Sequence, residues 1–201
     1  MRIISGKYKG RRIFPPKNLP VRPTTDMSKE ALFNVLNNHF SFDSLKVLDL
    51  FSGTGNISFE FASRGSAPIT SVDGDSGCVK FIKQVSSEYD FDIAATKSDV
   101  YKFLENCKTS YDIVFADPPY GFDQAAFEKI VVTVFERELL HEDGMMIIEH
   151  SKYTKMDHLS NFSFQKSYGG SFFSFFELNS TDDDEELPDD SSTKITEEDE
   201  G

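Results

Sequence analysis

The middle of the chain alternates short apolar segments with segments of helical periodicity, and no other feature limits the possible folds as strongly. The apolar segments are rich in Val, Ile and Leu, which is typical of buried strands. The predicted strands are 46–51, 69–72, 91–96, 113–116 and 145–150. Strands joined through helices pair in parallel, because each helix returns the chain to the same end of the sheet. The sequence therefore predicts an α/β fold with a doubly wound, mostly parallel sheet.

The two ends of the chain add smaller elements to this sheet. Residues 161–168 and 171–178 are rich in Phe and predict an antiparallel C-terminal hairpin, which makes the sheet seven-stranded. Residues 2–14 predict a small N-terminal β-hairpin, and a proline-rich linker leads from it to an amphipathic helix over 27–39. The predicted organisation has three parts: a basic N-terminal extension (1–40), a central domain (41–179) and an acidic disordered tail (180–201).

Charge is distributed unevenly along the chain. The formal net charge is −13, yet residues 1–29 carry eight Lys and Arg and one acidic residue. Residues 180–201 carry eleven acidic residues and one Lys. A basic segment on an acidic body suits an anionic partner such as nucleic acid, although a basic terminus can also be merely solvated. Arg11 and Arg12 are candidate contacts to such a partner.

Composition excludes several other classes of protein. No apolar run reaches the roughly 20 residues that span a bilayer, and the N-terminal residues lack a signal-peptide pattern. Cys78 and Cys107 stand far apart, which indicates two reduced thiols, and the His residues form no metal-ligand pattern. We therefore expect a cytoplasmic protein without a metal or a membrane partner. Nothing in the sequence demands a dimer, so we expect a monomer.

The strand 113–116 ends at an unusually stiff turn, formed by Asp117, Pro118, Pro119 and Tyr120. The two prolines lock two φ angles and remove two amide donors, so the strand cannot continue. The turn presents a carboxylate, backbone carbonyls and a phenol ring at the carboxyl end of a strand, which is where open α/β sheets bind ligands. The alternative is that this Asp-Pro-Pro turn only ends the strand.

A glycine-containing turn follows the first predicted strand. Gly53 and Gly55 allow close approach of a ligand to the backbone, and the next helix begins with free amides. A dinucleotide-binding turn would have a third glycine where this chain has Ser58, and Asp49 fits poorly beside a pyrophosphate. Asp49 instead suits a ligand that carries an ammonium group.

Acidic residues also follow the second and third predicted strands. Asp73 comes directly after a strand, so its carboxylate can accept both hydroxyl groups of a ribose. Asp75 can instead cap the next helix. Asp99 can either meet the edge of an adenine or cap its own helix. Four acid-tipped strand ends, at 49, 73, 99 and 117, are together a more specific signal than any one of them.

These motifs resemble those of the class I S-adenosylmethionine-dependent methyltransferases, whose fold is Rossmann-like. More narrowly, the chain resembles the RsmD family, whose members methylate the N2 amino group of guanine 966 in 16S ribosomal RNA. The resemblance covers roughly residues 1–178 and rests on VRPTTDMSKEALFNVL, VLDLFSGTGNIS, SVDGD and IVFADPPY. The chain departs from many relatives at Met27, where they carry an arginine, and in its acidic tail.

The resemblance implies S-adenosyl-L-methionine as the cofactor and small-subunit ribosomal RNA, free or in an assembling 30S subunit, as the partner. It implies cofactor contacts at Asp49, Phe51, Gly53, Gly55, Asp73 and Asp99. The base to be methylated would be held by Asp117, Pro118, Pro119 and Tyr120. To Arg11 and Arg12 of the basic segment it adds RNA contacts at Arg22, Thr24 and Thr25.

Three alternatives stand beside this hypothesis. An N6-adenine DNA methyltransferase can carry the same Asp-Pro-Pro-Tyr turn, but it usually needs a sizeable target-recognition domain, for which this chain has little room. A non-catalytic RNA-binding factor in ribosome assembly could keep the fold, although both motifs are intact here. A nucleotide-dependent oxidoreductase is disfavoured by Ser58, which occupies the third glycine position.

Overall fold

The computed structural model describes residues 1–19, 25–119 and 121–178. Its helices are α1 (Asp26–Leu36), α2 (Asn56–Ser63), α3 (Ser76–Tyr89), α4 (Val100–Asn106) and α5 (Gln124–Glu136). Its strands are β1 (Val47–Leu50), β2 (Ile69–Asp73), β3 (Ile93–Lys97), β4 (Tyr111–Ala116), β5 (Leu140–His150), β6 (Phe162–Tyr168) and β7 (Ser171–Glu177). The predictions for Arg22, Thr24, Tyr120 and the acidic tail fall outside the described residues.

The seven strands form one sheet in the order β3-β2-β1-β4-β5-β7-β6. Strands β1 to β5 pair in parallel, whereas β7 runs antiparallel to both β5 and β6. The predicted fold class, a doubly wound and mostly parallel sheet with an antiparallel C-terminal hairpin, is confirmed. The strand order reverses between β1 and β4, so the carboxyl ends of these two strands are neighbours.

The central strands are apolar because both faces of the sheet are covered. Alternate residues of a strand point to opposite faces. On one face, Val47, Ile113 and Phe115 pack with residues of α1 and α2. On the other face, Leu48 and Val114 pack with residues of α4 and α5. Within the described residues, no helix is both long enough and apolar enough to cross a membrane.

Several predicted boundaries were wrong by a few residues. The helix predicted over 27–39 ends at Leu36. The sequence pattern of residues 123–140 also predicts a helix up to Leu140, but α5 ends at Glu136. Glu138 has a φ of 53°, a left-handed conformation that cannot continue an α-helix. Leu140 instead begins β5 and pairs with Tyr111 of β4. Tertiary pairing here overrides a local apolar pattern that continues past the end of the helix.

The N-terminal segment folds back on itself as the predicted hairpin requires, but its two arms pair over only a short stretch. Within the described residues, its one bridge joins Arg2 and Arg12 in antiparallel fashion, with Ile3 donating to the carbonyl of Arg11 and Ile13 to that of Met1. Turns and bends occupy the residues between the arms, where Gly10 donates to the carbonyl of Ile3. Ile3 and Ile13 are buried in an apolar cluster with residues of α3. The segment thus packs on the central domain, while a domain boundary at residue 40 stays a prediction.

A buried ion network fixes this segment to helices α1 and α2. Glu60 is fully buried, and its two carboxylate oxygens accept the amides of Ile4 and Ser5 at 2.8 and 3.0 Å. The same carboxylate pairs with the Lys29 ammonium at 3.3 Å and with the Arg64 guanidinium at 2.9 Å. The Glu60 side chain therefore links the N-terminal segment, α1 and α2.

Candidate active site

The turns after β1 and β4 meet at the point where the strand order reverses. Leu50 and Ala116 lie opposite each other at the ends of the two strands. The amide of Asp117 donates to the carbonyl oxygen of Leu50 at 3.3 Å. In open α/β sheets, ligands bind at such a point, outside the carboxyl ends of the strands. The fold therefore brings together the two motifs on which the sequence analysis rests.

The glycine turn after β1 depends on left-handed backbone conformations. Phe51, Gly53 and Gly55 have φ angles of 58°, 50° and 79°. A Cβ atom on Gly55 would stand 2.9 Å from both Phe59 Cζ and Ile82 Cγ1, so no other residue fits there without a shift. Phe51 adopts the left-handed region despite its side chain, which indicates that its surroundings hold this turn in place.

Asp49 lies beneath the glycine turn and is almost fully buried. Its Oδ2 accepts the amide of Ser58 at 3.1 Å and the hydroxyl of Ser58 at 2.5 Å. Gly55 stands at the N-cap position of α2 and offers no side chain to the first turn, so Asp49 supplies the missing acceptor from β1. Asp49 therefore positions the glycine turn, and its predicted contact with a cofactor stays a prediction.

Burial raises the pKa of Asp49 from 3.8 to about 7, although the hydrogen bonds from Ser58 oppose the rise. The folded protein thus binds this proton more tightly than the unfolded chain, so the contribution of Asp49 to stability is full below about pH 4 and is lost as the pH rises to about 7. We expect Asp49→Asn to gain stability relative to the parent protein across this window. Urea unfolding at a series of pH values measures the difference, and parallel stability curves would contradict the assignment.

Asp73, the last residue of β2, is hydrogen-bonded to the glycine turn. Its Oδ2 accepts the amide of Gly53 at 2.8 Å, and its Oδ1 accepts the amide of Asp75 at 2.8 Å. The side chain remains partly exposed. Because each carboxylate oxygen has more than one lone pair, Asp73 keeps acceptor capacity for further donors such as ribose hydroxyls.

Three of the other acidic or hydroxyl side chains cap helices. Asp75 accepts the amide of Cys78 and caps α3. Asp99 accepts the amide of Lys102 and caps α4, and Thr25 caps α1 by accepting from Ser28. The structure thus gives Asp99 and Thr25 structural roles, and their predicted contacts with adenine and RNA stay predictions. A cap can still face a ligand, because its outer lone pairs are not used.

The Asp-Pro-Pro turn contains both buried and exposed residues. Asp117 is partly exposed, Pro118 is buried and Pro119 is exposed. The carbonyl oxygen of Pro119 accepts the amide of Phe122 at 3.0 Å, which closes the turn. With two φ angles locked and a closing hydrogen bond, the Asp117 side chain is held at the ligand edge of the sheet.

An aromatic cluster that the sequence analysis missed lies between the two turns. The ring of Phe122 packs edge-on against Phe51 at 5.6 Å between centroids and stacks on Tyr101 at 6.3 Å. Phe127 packs against the other edge of Phe122 at 6.3 Å. Phe122 follows the Asp-Pro-Pro-Tyr-Gly motif directly, so its position in the sequence was the available signal. The cluster couples the glycine turn to the turn after β4.

The basic N-terminal segment presents Arg11 and Arg12 to solvent. A surface depression of about 440 Å³ is lined by Met1, Arg2, Arg12, Phe14 and Asp26. Phe14 is 79% exposed. Exposed cations interleaved with an exposed aromatic ring are typical of surfaces that bind single-stranded nucleic acid.

Two features of the glycine turn fit a polar ligand. The hydroxyl of Ser52 is buried and finds no hydrogen-bond partner within the described residues, whereas buried hydroxyls are normally satisfied. Gly55 provides a close-packed backbone without a side chain. A ligand that brings a polar group to Ser52 would satisfy its hydroxyl. The polar amino-acid part of S-adenosylmethionine is such a ligand group.

The strand order, the glycine turn after β1 and the Asp-Pro-Pro turn after β4 define a class I methyltransferase. Residues 1–177 match the family model described as "Conserved hypothetical protein 95". The chain therefore belongs to this family, the RsmD family of methyltransferases.

Curated relatives of known name agree with this assignment. The Ribosomal RNA small subunit methyltransferase D of Haemophilus influenzae is 30% identical over 158 residues, covering 76% of this chain and 79% of the relative. The protein of the same name from Escherichia coli K12 is 29% identical over 150 residues, covering 74% of each chain.

Solved structures show the same fold. A hypothetical protein of Thermus thermophilus matches 89% of this chain and 99% of its own with a TM-score of 0.76 at 24% identity. The T. thermophilus 16S rRNA N2 G1207 methyltransferase, solved with AdoMet and guanosine, matches 79% of this chain and 45% of its own with a TM-score of 0.64 at 19% identity.

Proposed function

We propose that this protein transfers a methyl group from S-adenosylmethionine to the exocyclic N2 of a guanine in small-subunit ribosomal RNA. The observation that carries the proposal is the adjacency of the glycine turn and the Asp117 turn at the end of the paired strands β1 and β4. The names of the Haemophilus and Escherichia relatives support ribosomal RNA as the substrate. The Thermus methyltransferase, which is named for the N2 of G1207, supports guanine.

The glycine turn and the acidic strand ends would hold the cofactor. When bound, it supplies a methyl group already activated on a sulfonium centre. Gly53 and Gly55 would approach its amino-acid part, with Asp49 supporting the turn from below. Phe51 would line the same region, and Asp73 would accept from the ribose hydroxyls. Asp99, already the cap of α4, would receive the adenine edge on its outer side.

The Asp117 turn would prepare the guanine nitrogen for attack. The lone pair of an exocyclic amino nitrogen is delocalised into the ring, which makes it a poor nucleophile. Hydrogen bonds from its two N–H groups to the Asp117 carboxylate and the Pro118 carbonyl favour a pyramidal nitrogen with an available lone pair. The nitrogen would take the methyl group that the cofactor supplies, leaving the sulfur as a neutral thioether, and Asp117 would accept the proton that the nitrogen loses.

Most of the rate enhancement in such a reaction comes from positioning the reacting atoms. The reacting atoms must be held about 3–3.5 Å apart in line, which lowers the barrier without any further catalyst. The base must leave its stack to reach the turn, and Tyr120 would then stack on its face.

The basic N-terminal segment would hold the RNA around the extruded base. Arg11 and Arg12 are exposed and can pair with phosphates. Arg22, Thr24 and Thr25 would contact the RNA between this segment and the active site. The partner would be the RNA alone or an assembling 30S subunit, bound by a monomeric enzyme.

Methyl incorporation into different acceptors tests the proposal. Purified protein with labelled S-adenosylmethionine is offered small-subunit rRNA from cells that lack the endogenous modification, isolated 30S subunits, or duplex DNA. We expect label in the RNA or the subunits and none above background in DNA. Label in DNA alone would favour an N6-adenine enzyme, and failure to bind the cofactor in calorimetry would favour a non-catalytic role.

A further inference from the structure

The loop after β5 borders the substrate side of the site. Strand β5 pairs in parallel with β4, so its carboxyl end lies beside the turn that begins at Asp117. A cavity of about 330 Å³ joins this loop to the aromatic cluster and is lined by Phe122, Gln124, Phe127, Ser151, Tyr153 and Thr154. The loop thus shares a wall with the turn to which the proposed function assigns the target base.

The ring of Tyr153 is presented to solvent from a fixed backbone. Tyr153 is 79% exposed, although a tyrosine usually buries most of its ring. Its amide donates to Ser151 Oγ at 3.3 Å, and the amide of Thr154 donates to the carbonyl of Ser151 at 3.2 Å. The amide group of Gln124 bonds both the amide and the carbonyl of Lys155, which anchors the loop to α5.

Two lysines stand close to this ring along the loop. The ammonium of Lys152 stands 5.0 Å from the centroid of the Tyr153 ring, and the side chain of Lys155 is exposed. An apolar protein partner would bury the ring but leave the two ammonium groups without counter-charges. A nucleotide offers a partner to the ring and to the ammonium groups, because its base stacks on the ring and its phosphate pairs with the ammonium groups.

We propose that Tyr153 stacks on the nucleobase next to the target guanine and that Lys152 contacts the phosphate of that nucleotide. This inference rests on the proposed function, since it takes RNA as the substrate. It adds a second RNA-binding surface, residues 151–155, to the basic N-terminal segment. Tyr153 is a binding residue for the flanking nucleotide and takes no part in the transfer itself.

Binding of small-subunit rRNA to Tyr153→Ala, Tyr153→Phe and the parent protein tests the stacking. We expect the dissociation constant of Tyr153→Ala to rise about 5- to 150-fold, the range for loss of one base stack, and that of Tyr153→Phe to stay close to the parent value. The salt slope should stay unchanged in Tyr153→Ala because no charge is lost, whereas Arg11→Ala combined with Arg12→Ala should flatten it. Val132→Ala, an exposed apolar truncation on α5, is the control, and cofactor affinity reports correct folding.

The outcomes separate this inference from the proposed function. If the parent protein methylates the RNA and Tyr153→Ala binds it equally well, the stacking role is wrong and the proposed function stands. If Tyr153→Phe loses as much affinity as Tyr153→Ala, the hydroxyl acts in place of the ring, which also overturns the inference. If the parent protein neither binds nor methylates RNA, both fail together.

Discussion

Replacing Asp117 by alanine is expected to lower methyl-transfer turnover by about 100- to 1000-fold, the usual cost of removing one preorganised polar contact to the reacting group. Asp117 is partly exposed at the end of β4, next to the glycine turn, and its replacement would remove the acceptor proposed for the guanine N–H. Cofactor affinity should be unchanged, because the proposed cofactor contacts lie on β1, in the glycine turn after it, at the end of β2 and at the N-cap of α4. Single-turnover kinetics with saturating cofactor measures the chemical step directly.

Two matched variants sharpen this prediction. Asp117→Asn keeps an oxygen acceptor but loses the charge, so its turnover should lie between that of the parent protein and that of Asp117→Ala. Asp143→Ala removes an exposed carboxylate near the amino end of β5, away from the ligand edge of the sheet, and should leave turnover unchanged. Near-normal turnover of Asp117→Ala with intact cofactor binding would show that the turn after β4 does not act on the target base.

Replacing Glu60 by glutamine is expected to lower the free energy of unfolding by about 3–5 kcal/mol, the cost of breaking a buried ion pair from one side. The carboxylate accepts from two backbone amides, Lys29 and Arg64 at once. A glutamine has one acceptor oxygen and turns its NH₂ group toward one of these donors. The Lys29 ammonium, 1% exposed, would then lose its counter-charge.

Urea unfolding measures this loss. The slope of the unfolding free energy against urea concentration should be the same in the variant and the parent protein. In a thermal scan the same loss corresponds to roughly 2–4 °C per kcal/mol for a chain of this size. Glu88→Gln, on the exposed side of α3, should change stability by less than about 0.5 kcal/mol. A loss from Glu60→Gln as small as that from Glu88→Gln would mean that the network is dispensable.

The network also reaches the glycine turn. The Lys29 ammonium donates to Asn56 Oδ1 at 2.8 Å, and Asn56 is the first residue of α2, directly after Gly55. A variant that loses the Glu60 pair should therefore also bind S-adenosylmethionine more weakly.

The sheet was predictable because its strands have a distinctive local pattern. Val47, Ile113 and Ile147 belong to short apolar segments that are buried on both faces, and few other structures need such segments. The position of the site followed from parallel pairing, which brings strand ends 50 and 116 to one edge. These features depend on local pattern and on chain connectivity, both of which the sequence displays.

The partners of individual polar side chains were not predictable. Glu60 belongs to an apolar helical segment, and its partners Ile4 and Lys29 stand far away along the chain. Asp49 was predicted to contact the cofactor, which stays a prediction, while its hydrogen bond to Ser58 under the turn was not predicted. Such contacts depend on how helices α1 and α2 pack, which hydrophobic periodicity alone does not determine.

The most direct test of the central claim is the identity of the methylated nucleoside. Small-subunit rRNA is methylated by the parent protein with labelled S-adenosylmethionine and digested to nucleosides, and the product is identified by mass spectrometry. Asp117→Ala, treated in the same way, gives the background. We predict N2-methylguanosine at a single position of the RNA. A methylated adenine, or no labelled nucleoside from a protein that binds the cofactor, would contradict the account.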